Sequence, residues 1–372
     1  MRLHYRSPHG WLNDPHGVIH RPDGYHLFHQ HSPSTAEWDK AIHWGHAVGE
    51  DLFGLRYVGS ALEPGDGDEG IWTGCIVEDE RGLIAYYTSA REPVLGLASI
   101  RTARPVDGGL RAWAKGPVVA QPPEGLGIRD YRDPFVLRDG DLWRMMVGSD
   151  SGSGHAMMHG YLSQDGETWT YDGVALSRHK DETDGAWMGA LWECPQVFEV
   201  DGTWVMLTSV WEDGTLHYAG YAIGDFTDGR FAARRWGRLT YGTYYAPTVF
   251  RDADGRPCVM AWIREVRGDG WAGCLSIPWV MSVVDDTLIL TTHPNMDRHA
   301  PQGSSERFTW LPEGLLEPAD GVRLEVVDQE LRLTTPALTA SMPHDGRAIE
   351  VVLDDEVIEV IGGLGLLGGP TR

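Results

Sequence analysis

The chain has 372 residues, more than one average domain, and carries 54 acidic against 31 basic side chains, a formal net charge of -23. A surface of that sign repels phosphate backbones and anionic headgroups, which argues against nucleic acid and membrane as partners. Its four cysteines, Cys75, Cys194, Cys258 and Cys274, have no C-x-x-C spacing, so neither a zinc site nor a disulfide framework is indicated and reduced thiols are expected.

The N-terminus, Met1 to Arg6, runs into polar and aromatic sequence with no apolar leader. The most apolar tail segment, Val360 to Gly369, is too short and too glycine-rich to span a bilayer. A cytoplasmic protein is the expectation.

Through the first 300 residues, short runs of Val, Ile, Leu, Trp, Tyr and Met are bounded by Gly, Asp and Pro, an all-β pattern with little helical periodicity. An apolar run, a glycine turn and a second apolar run recur at Asp23-Gly24, Arg81-Gly82, Asp139-Gly140, Asp201-Gly202 and Asp254-Gly255, with glycine spacings of 58, 58, 62 and 53. Asp-Gly suits a type I′ hairpin, whose two central residues both need positive φ. Periods of this length predict a five-bladed β-propeller over residues 1–300, each blade centred on one hairpin.

Within that repeat, three carboxylates stand beside prolines: Trp11-Leu-Asn-Asp14-Pro-His-Gly17, Tyr131-Arg132-Asp133-Pro134 and Trp192-Glu193-Cys194-Pro195. Singly, each has a structural explanation as a turn, a local ion pair or a strand cap. Asp14, Asp133 and Glu193 lie ten, seven and nine residues before their hairpin glycines, a shared phase near the start of a blade's innermost strand. Such strands end on the central channel, so the three acids are predicted to face one funnel. Trp72-Thr73-Gly74-Cys75 and Tyr244-Tyr245-Ala246-Pro247 occupy the matching phase of blades two and five. Aromatic rings and small polar groups beside carboxylates suit a sugar, whose C–H face stacks while its hydroxyls need oriented hydrogen bonds.

His29, His31, His43 and His46 crowd one segment. They lack the i, i+4 helical placement of zinc proteases and a carboxylate to complete a set, so neutral hydrogen-bonding histidines are expected and no metal or cofactor is predicted.

These motifs resemble glycoside hydrolase family 32, the invertase, inulinase and levanase group, over nearly all of residues 1–300. Trp-Leu-Asn-Asp-Pro-His-Gly is similar to the family's nucleophile signature, Arg-Asp-Pro to its transition-state stabiliser and Glu-Cys-Pro to its acid/base motif. Tyr25-His-Leu-Phe-His-Gln30 resembles a strand carrying a substrate-binding glutamine, and His43-Trp-Gly-His-Ala47 another segment near the pocket. Gly270 to Pro278 resembles the close of the family's five-bladed propeller. The sequence departs from the family at His16, where a second asparagine is usual, and at Trp72-Thr-Gly-Cys, where an aromatic-Ser-Gly-Ser is usual; both mark specificity positions.

The resemblance also implies a C-terminal β-sandwich, for which only residues 301–372 remain. A small, abbreviated sandwich-like module is therefore expected, with Arg347 to Ile361 as its last hairpin turning at Asp354-Asp355 and residues 303–346 matching only loosely. The propeller surface left exposed is expected to be covered by a second copy, giving a homodimer.

By this resemblance the chain is a retaining β-fructofuranosidase acting on a small carbohydrate such as sucrose or a short fructo-oligosaccharide. Asp14 is the nucleophile, Glu193 the general acid/base kept protonated by burial and neighbouring negative charge, and Asp133 the stabiliser of the sugar, with Arg132 orienting Asp133 or touching the sugar. Asn13, Gln30, Trp38, Trp72, Thr73 and Tyr245 complete the expected binding set. The alternatives are an inverting furanosidase acting on arabinan or xylan, a fructosyltransferase that differs in the acceptor, and a non-catalytic sugar-binding propeller. A retaining pair needs carboxyl groups about 5–5.5 Å apart, and an inverting pair about 6.5–9.5 Å.

Overall fold

The computed structural model describes residues 3–372 and consists of β-strands with one short 3-10 turn at Pro294–Arg298. Four-stranded antiparallel units follow one another along the chain. The first runs Gly10–Arg21, Gly24–Ser32, His43–Gly49 and Arg56–Leu62; the second Gly70–Asp79, Gly82–Ala90, Ser99–Pro105 and Trp113–Ala120. The third runs Tyr131–Asp139, Leu142–Asp150, His155–Ser163 and Thr170–His179; the fourth Leu191–Val200, Thr203–Glu212, Thr215–Thr227 and Arg230–Arg238. A fifth is made of Tyr244–Arg251, Pro257–Gly268, Trp279–Val284 and Thr287–Thr292.

The first strands of these units touch in cyclic order, one to two, two to three, three to four, four to five and five back to one. The segment Trp271–Leu275 closes the ring. It pairs antiparallel with Pro257–Gly268 and parallel with the first strand of the chain, Gly10 opposite Trp271.

The apolar core lies in the seams between units. Phe28, Trp44, Ile71 and Tyr87 pack between the first and second; Tyr86, Tyr131, Trp143 and Met145 between the second and third; Met146, Met158, Trp192 and Met206 between the third and fourth; Leu12, Leu27, Met260 and Trp262 between the fifth and first. Inner strands such as Leu142–Asp150 are therefore covered on both faces, which is why they read as near-continuous apolar runs. Each fully buried Met, Leu or Phe contributes about 1.5–3 kcal/mol, enough for the seams to hold the ring shut.

The predicted turns form hairpins, but only Asp201-Gly202 is the expected pair with both residues at positive φ, 51° and 75°. At the first two turns the glycine, Gly24 or Gly82, sits one place later and begins the returning strand. Gly140 opens the third loop, and the fifth spans Asp252 to Arg256. Glycine spacing marks the period without fixing the turn type.

Beyond Arg298, two sheets share one core. Leu315–Ala319, Val322–Val327, Glu330–Thr334 and Thr339–Pro343 form one; Arg307–Trp310, Ile349–Asp354, Val357–Gly362 and Gly365–Pro370 form the other, joined at its edge by Thr240–Gly242 from the fourth-to-fifth connection. Leu324, Leu331 and Leu333 of the first sheet pack with Val351, Ile358 and Leu367 of the second. Two expectations are corrected here. The hairpin after Ile349 turns at Asp355-Glu356, Asp354 pairing with Val357, and it is not the last, because the glycine-rich tail folds back as Gly365–Pro370.

Candidate active site

At the same place in all five first strands the register breaks. The breaks fall at Asp14, Thr73, Asp133-Pro134, Cys194-Pro195 and Ala246-Pro247. Such bulges insert an extra residue and re-aim the side chains around it. Asp14, Asp133, Cys194 and Ala246 have φ of 39°, 63°, 50° and 44°. Each precedes a proline, which disfavours right-handed helical geometry in the residue before it. Left-handed backbone at a non-glycine residue costs about 1–2 kcal/mol, and four in register around one axis mark a functional centre.

The bulges sort the motif residues into two rings. Asp14, Thr73, Asp133, Cys194 and Ala246 form one, and the residues just before them, Asn13, Trp72, Arg132, Glu193 and Tyr245, form the other. Glu193 thus occupies the position of Arg132 and Asn13, one residue ahead of Asp14 and Asp133.

Hydrogen bonds run along each ring. Asp14 Oδ2 accepts from Thr73 Oγ1 at 2.7 Å and Gln30 Nε2 at 2.9 Å, while Oδ1 accepts from Asn13 Nδ2 at 2.8 Å. Asp133 Oδ2 accepts from the Cys194 amide at 3.0 Å, and the Asp133 amide donates to Thr88 Oγ1 at 2.8 Å. In the other ring, Glu193 Oε1 accepts from Arg132 Nε at 3.1 Å and Nη2 at 2.8 Å, and Oε2 accepts from the Tyr245 hydroxyl. Arg132 Nη1 donates to Asp130 at 2.6 Å.

These residues line one cavity of about 570 Å³. Asn13, Asp14, Gln30, Trp38, Trp72, Arg132, Asp133, Glu193 and Tyr245 all border it, and Thr73 reaches it through Asp14. Five further members, Trp11, Trp211, Gly214, Leu216 and Trp262, are absent from the expected binding set. Register offered a signal for one of them, since Trp262 pairs directly with Tyr245 on the neighbouring strand.

Burial sets the electrostatics. It pushes the Asp14 carboxyl up to about 6, helped by the Glu193 charge and opposed by the Thr73 and Asn13 hydrogen bonds. Burial likewise raises Asp133 to about 7, against the pull of Arg132 and with the push of Glu193 and Asp14. Glu193, by contrast, has a guanidinium and a phenol donating to it. Arg132 also binds Glu193 and Asp130 rather than orienting Asp133.

His16 does not border the cavity. Its Nδ1 donates to the Asp14 carbonyl at 2.8 Å, its ring packs on Trp44 at 4.2 Å, and burial lowers it to about 3, so it is neutral. It props the strained backbone beneath Asp14. His29 Nδ1 donates to the Gln30 carbonyl and His31 Nδ1 to the Trp11 carbonyl, each holding strand backbone, and burial lowers both.

Among the described residues, Asp252, Cys258 and His293 have donor atoms within 4.8 Å of one another. Asp252 Oδ2 already accepts from Arg256 Nε at 2.6 Å and His293 Nε2 at 3.0 Å, and burial raises the Cys258 thiol to about 12. A carboxylate neutralised by arginine beside a protonated thiol suits structure, not a cation.

The glycosyl hydrolases family 32 N-terminal domain matches residues 4–294. Among curated proteins, sucrose-6-phosphate hydrolase of Escherichia coli is 30% identical over 313 residues, covering 77% of this chain and 63% of that protein. Sucrose-6-phosphate hydrolase of Zymomonas mobilis is 28% identical over 315 residues, covering 77% and 60%. Raffinose invertase of Escherichia coli is 30% identical, covering 74% and 61%. The chain thus spans roughly three-fifths of the length of these relatives. In fold, the β-fructofuranosidase of Bombyx mori has a TM-score of 0.83 at 21% identity, covering 100% of this chain and 88% of the other. Fructan 1-exohydrolase IIa of Cichorium intybus, solved with 1-kestose, has a TM-score of 0.81 at 20% identity, covering 100% and 91%.

Proposed function

Because this chain belongs to glycosyl hydrolase family 32, we propose that it is a retaining β-fructofuranosidase: a five-bladed propeller over residues 1–300, with the cavity at its axis, followed by a small β-sandwich over residues 301–372. The observation that carries the reading is the convergence of Asp14, Asp133 and Glu193, from three units, on one cavity walled by tryptophan.

In the first step Asp14, ionised, attacks C2 of the fructofuranosyl unit and the C2–O bond to the leaving sugar breaks. Glu193 gives its proton to the departing oxygen. In the second step the Glu193 carboxylate, again held by Arg132 and Tyr245, draws a proton from water, whose oxygen attacks C2 and releases Asp14. Asp133 accepts hydrogen bonds from ring hydroxyls, which strengthen as positive charge develops on the sugar. Gln30, Thr73 and Asn13 hold the Asp14 carboxylate in place and lower its basicity, which suits a group that must also leave.

No helix among the described residues is long and apolar enough to cross a membrane. A cytoplasmic setting fits the four buried, unpaired thiols, which stay reduced there. Incubation with sucrose, kestose, inulin and arabinan tests the reading. Fructose released from sucrose and kestose is the expected result; arabinose with no fructose transfers the site to an inverting furanosidase.

A further inference from the structure

The charges around the cavity bear on which fructoside fills it. Its wall is aromatic: Trp11 and Trp262 meet edge to face with centroids 5.5 Å apart, and Trp38 and Trp72 do the same at 5.8 Å. Trp211 and Leu216 extend that wall. Among the described residues, Arg132 is the one cation lining the space, and all of its hydrogen bonds go to Glu193 and Asp130.

Cations beside the wall are committed in the same way. Lys40, whose carbonyl accepts from the Trp72 indole, pairs with Glu92 at 2.6 Å. Arg267 pairs at 3.4 Å with Glu37, the neighbour of Trp38. Lys180 pairs at 2.9 Å with Glu212, the neighbour of Trp211. Arg264, 5.6 Å from the Tyr245 ring, donates to the carbonyls of Thr243, Leu216 and His217.

We propose that this cavity selects an uncharged fructoside, its leaving sugar packed on the tryptophan wall, and rejects the phosphate ester of the same sugar. The proposal rests on the fructosidase reading above and narrows its substrate class. A phosphomonoester carries about -1.5 to -2 charge at neutral pH and is bound through free Arg or Lys donors. Here it meets three carboxylates below and, beside it, cations already bonded to acids or to backbone carbonyls, inside a chain of net charge -23, so entering the cavity removes its water and supplies no uncommitted cation. The relatives named as sucrose-6-phosphate hydrolases share the family with this chain, and the preference proposed here is the opposite one.

The test compares kcat/KM for sucrose and for sucrose 6-phosphate at low and high sodium chloride. Sucrose is expected to be favoured on the order of a hundredfold at low salt. High salt screens repulsion, so the ester's value should rise severalfold from about 20 mM to about 500 mM while that of sucrose stays nearly constant. Glu92→Gln, which frees exposed Lys40, should raise the ester's value relative to sucrose. Equal or better use of the ester at low salt overturns the selectivity and leaves the fructosidase reading standing. Turnover of neither compound overturns the fructosidase reading, and the selectivity with it.

Discussion

Arg132 grips Glu193 through two donors, Nε at 3.1 Å and Nη2 at 2.8 Å, although 61 residues separate them in the chain. The Tyr245 hydroxyl completes the hold from the other side. Removing that phenol in Tyr245→Phe takes one hydrogen bond from the Glu193 carboxyl and leaves it held by Arg132 alone. With poor leaving groups kcat should fall on the order of tenfold to a hundredfold while KM stays nearly constant. An unchanged kcat would show that Tyr245 serves packing alone.

Replacing the reacting carboxyls gives unequal signatures. Asp14→Asn should lose on the order of a thousandfold or more in kcat for every fructoside, since no group remains to attack C2. Glu193→Gln should lose most with poor leaving groups and far less with an activated aryl fructoside, whose departure needs no proton. Equal losses on both substrates would remove Glu193 from the acid role.

The free enzyme should show a bell-shaped kcat/KM. Asp14 must be ionised, and its carboxyl at about 6 sets the acid limb. The alkaline limb should lie near 7, where Asp133 gives up its proton. Steady-state rates between pH 4 and 9 give both limbs directly.

Asp133 links activity to stability. Its folded-state carboxyl, raised from 3.8 to about 7, contributes stability that is present below pH 4 and lost as pH rises through 7. Asp133→Asn keeps an acceptor for the Cys194 amide, tolerates positive φ and removes the buried charge. It should melt about 3 °C higher than the native chain at pH 8, with little difference at pH 4, while losing most activity. A lower melting temperature at pH 8 would contradict the burial argument.

Glu359, fully buried, ties the C-terminal sheets to the ring. It accepts from His4 Nε2 at 2.7 Å, the Ile277 amide at 2.8 Å, the Tyr244 hydroxyl at 2.9 Å and Trp279 Nε1 at 3.2 Å. Glu359 and Asp354 hold His4 up at about 9 against the opposing effect of burial. This stability is present below pH 6.5 and is lost as pH rises through 9. Glu359→Leu leaves the buried imidazolium with Asp354 alone, strips the Ile277 amide, the Tyr244 hydroxyl and the Trp279 indole of their acceptor, and should cost about 3–5 kcal/mol, read as a lower denaturant midpoint at pH 7. The gap between variant and native chain should narrow above pH 9.

Much of the site was legible because its chemistry is written into the bulges. The pairing of a polar residue with proline at Asp14-Pro15 and Asp133-Pro134 is both the motif and the cause of the left-handed backbone, and the repeat spacing brought the two together. Partnerships across rings were less visible. Spacing could not tell that Glu193 sits one place ahead of the aspartates, and so beside Arg132 and Tyr245. Trp11, Trp211 and Leu216 were missed because an aromatic or apolar residue on a strand reads as core until the cavity is seen. The C-terminal strands, five residues or so long and partly exposed, carry too weak an alternation to fix their turns, and the tail Gly365–Pro370 is strand because Val357–Gly362 and Thr240–Gly242 pair with its two sides.

The most direct test of the account is the anomeric configuration of the product formed from sucrose in aqueous methanol, where a methyl fructoside cannot mutarotate. Double displacement through Asp14 predicts methyl β-fructofuranoside, seen by carbon NMR during turnover. Release of α-fructofuranose first, with no methyl β-fructofuranoside, would mean that water attacks C2 directly and that Asp14 is a base rather than a nucleophile.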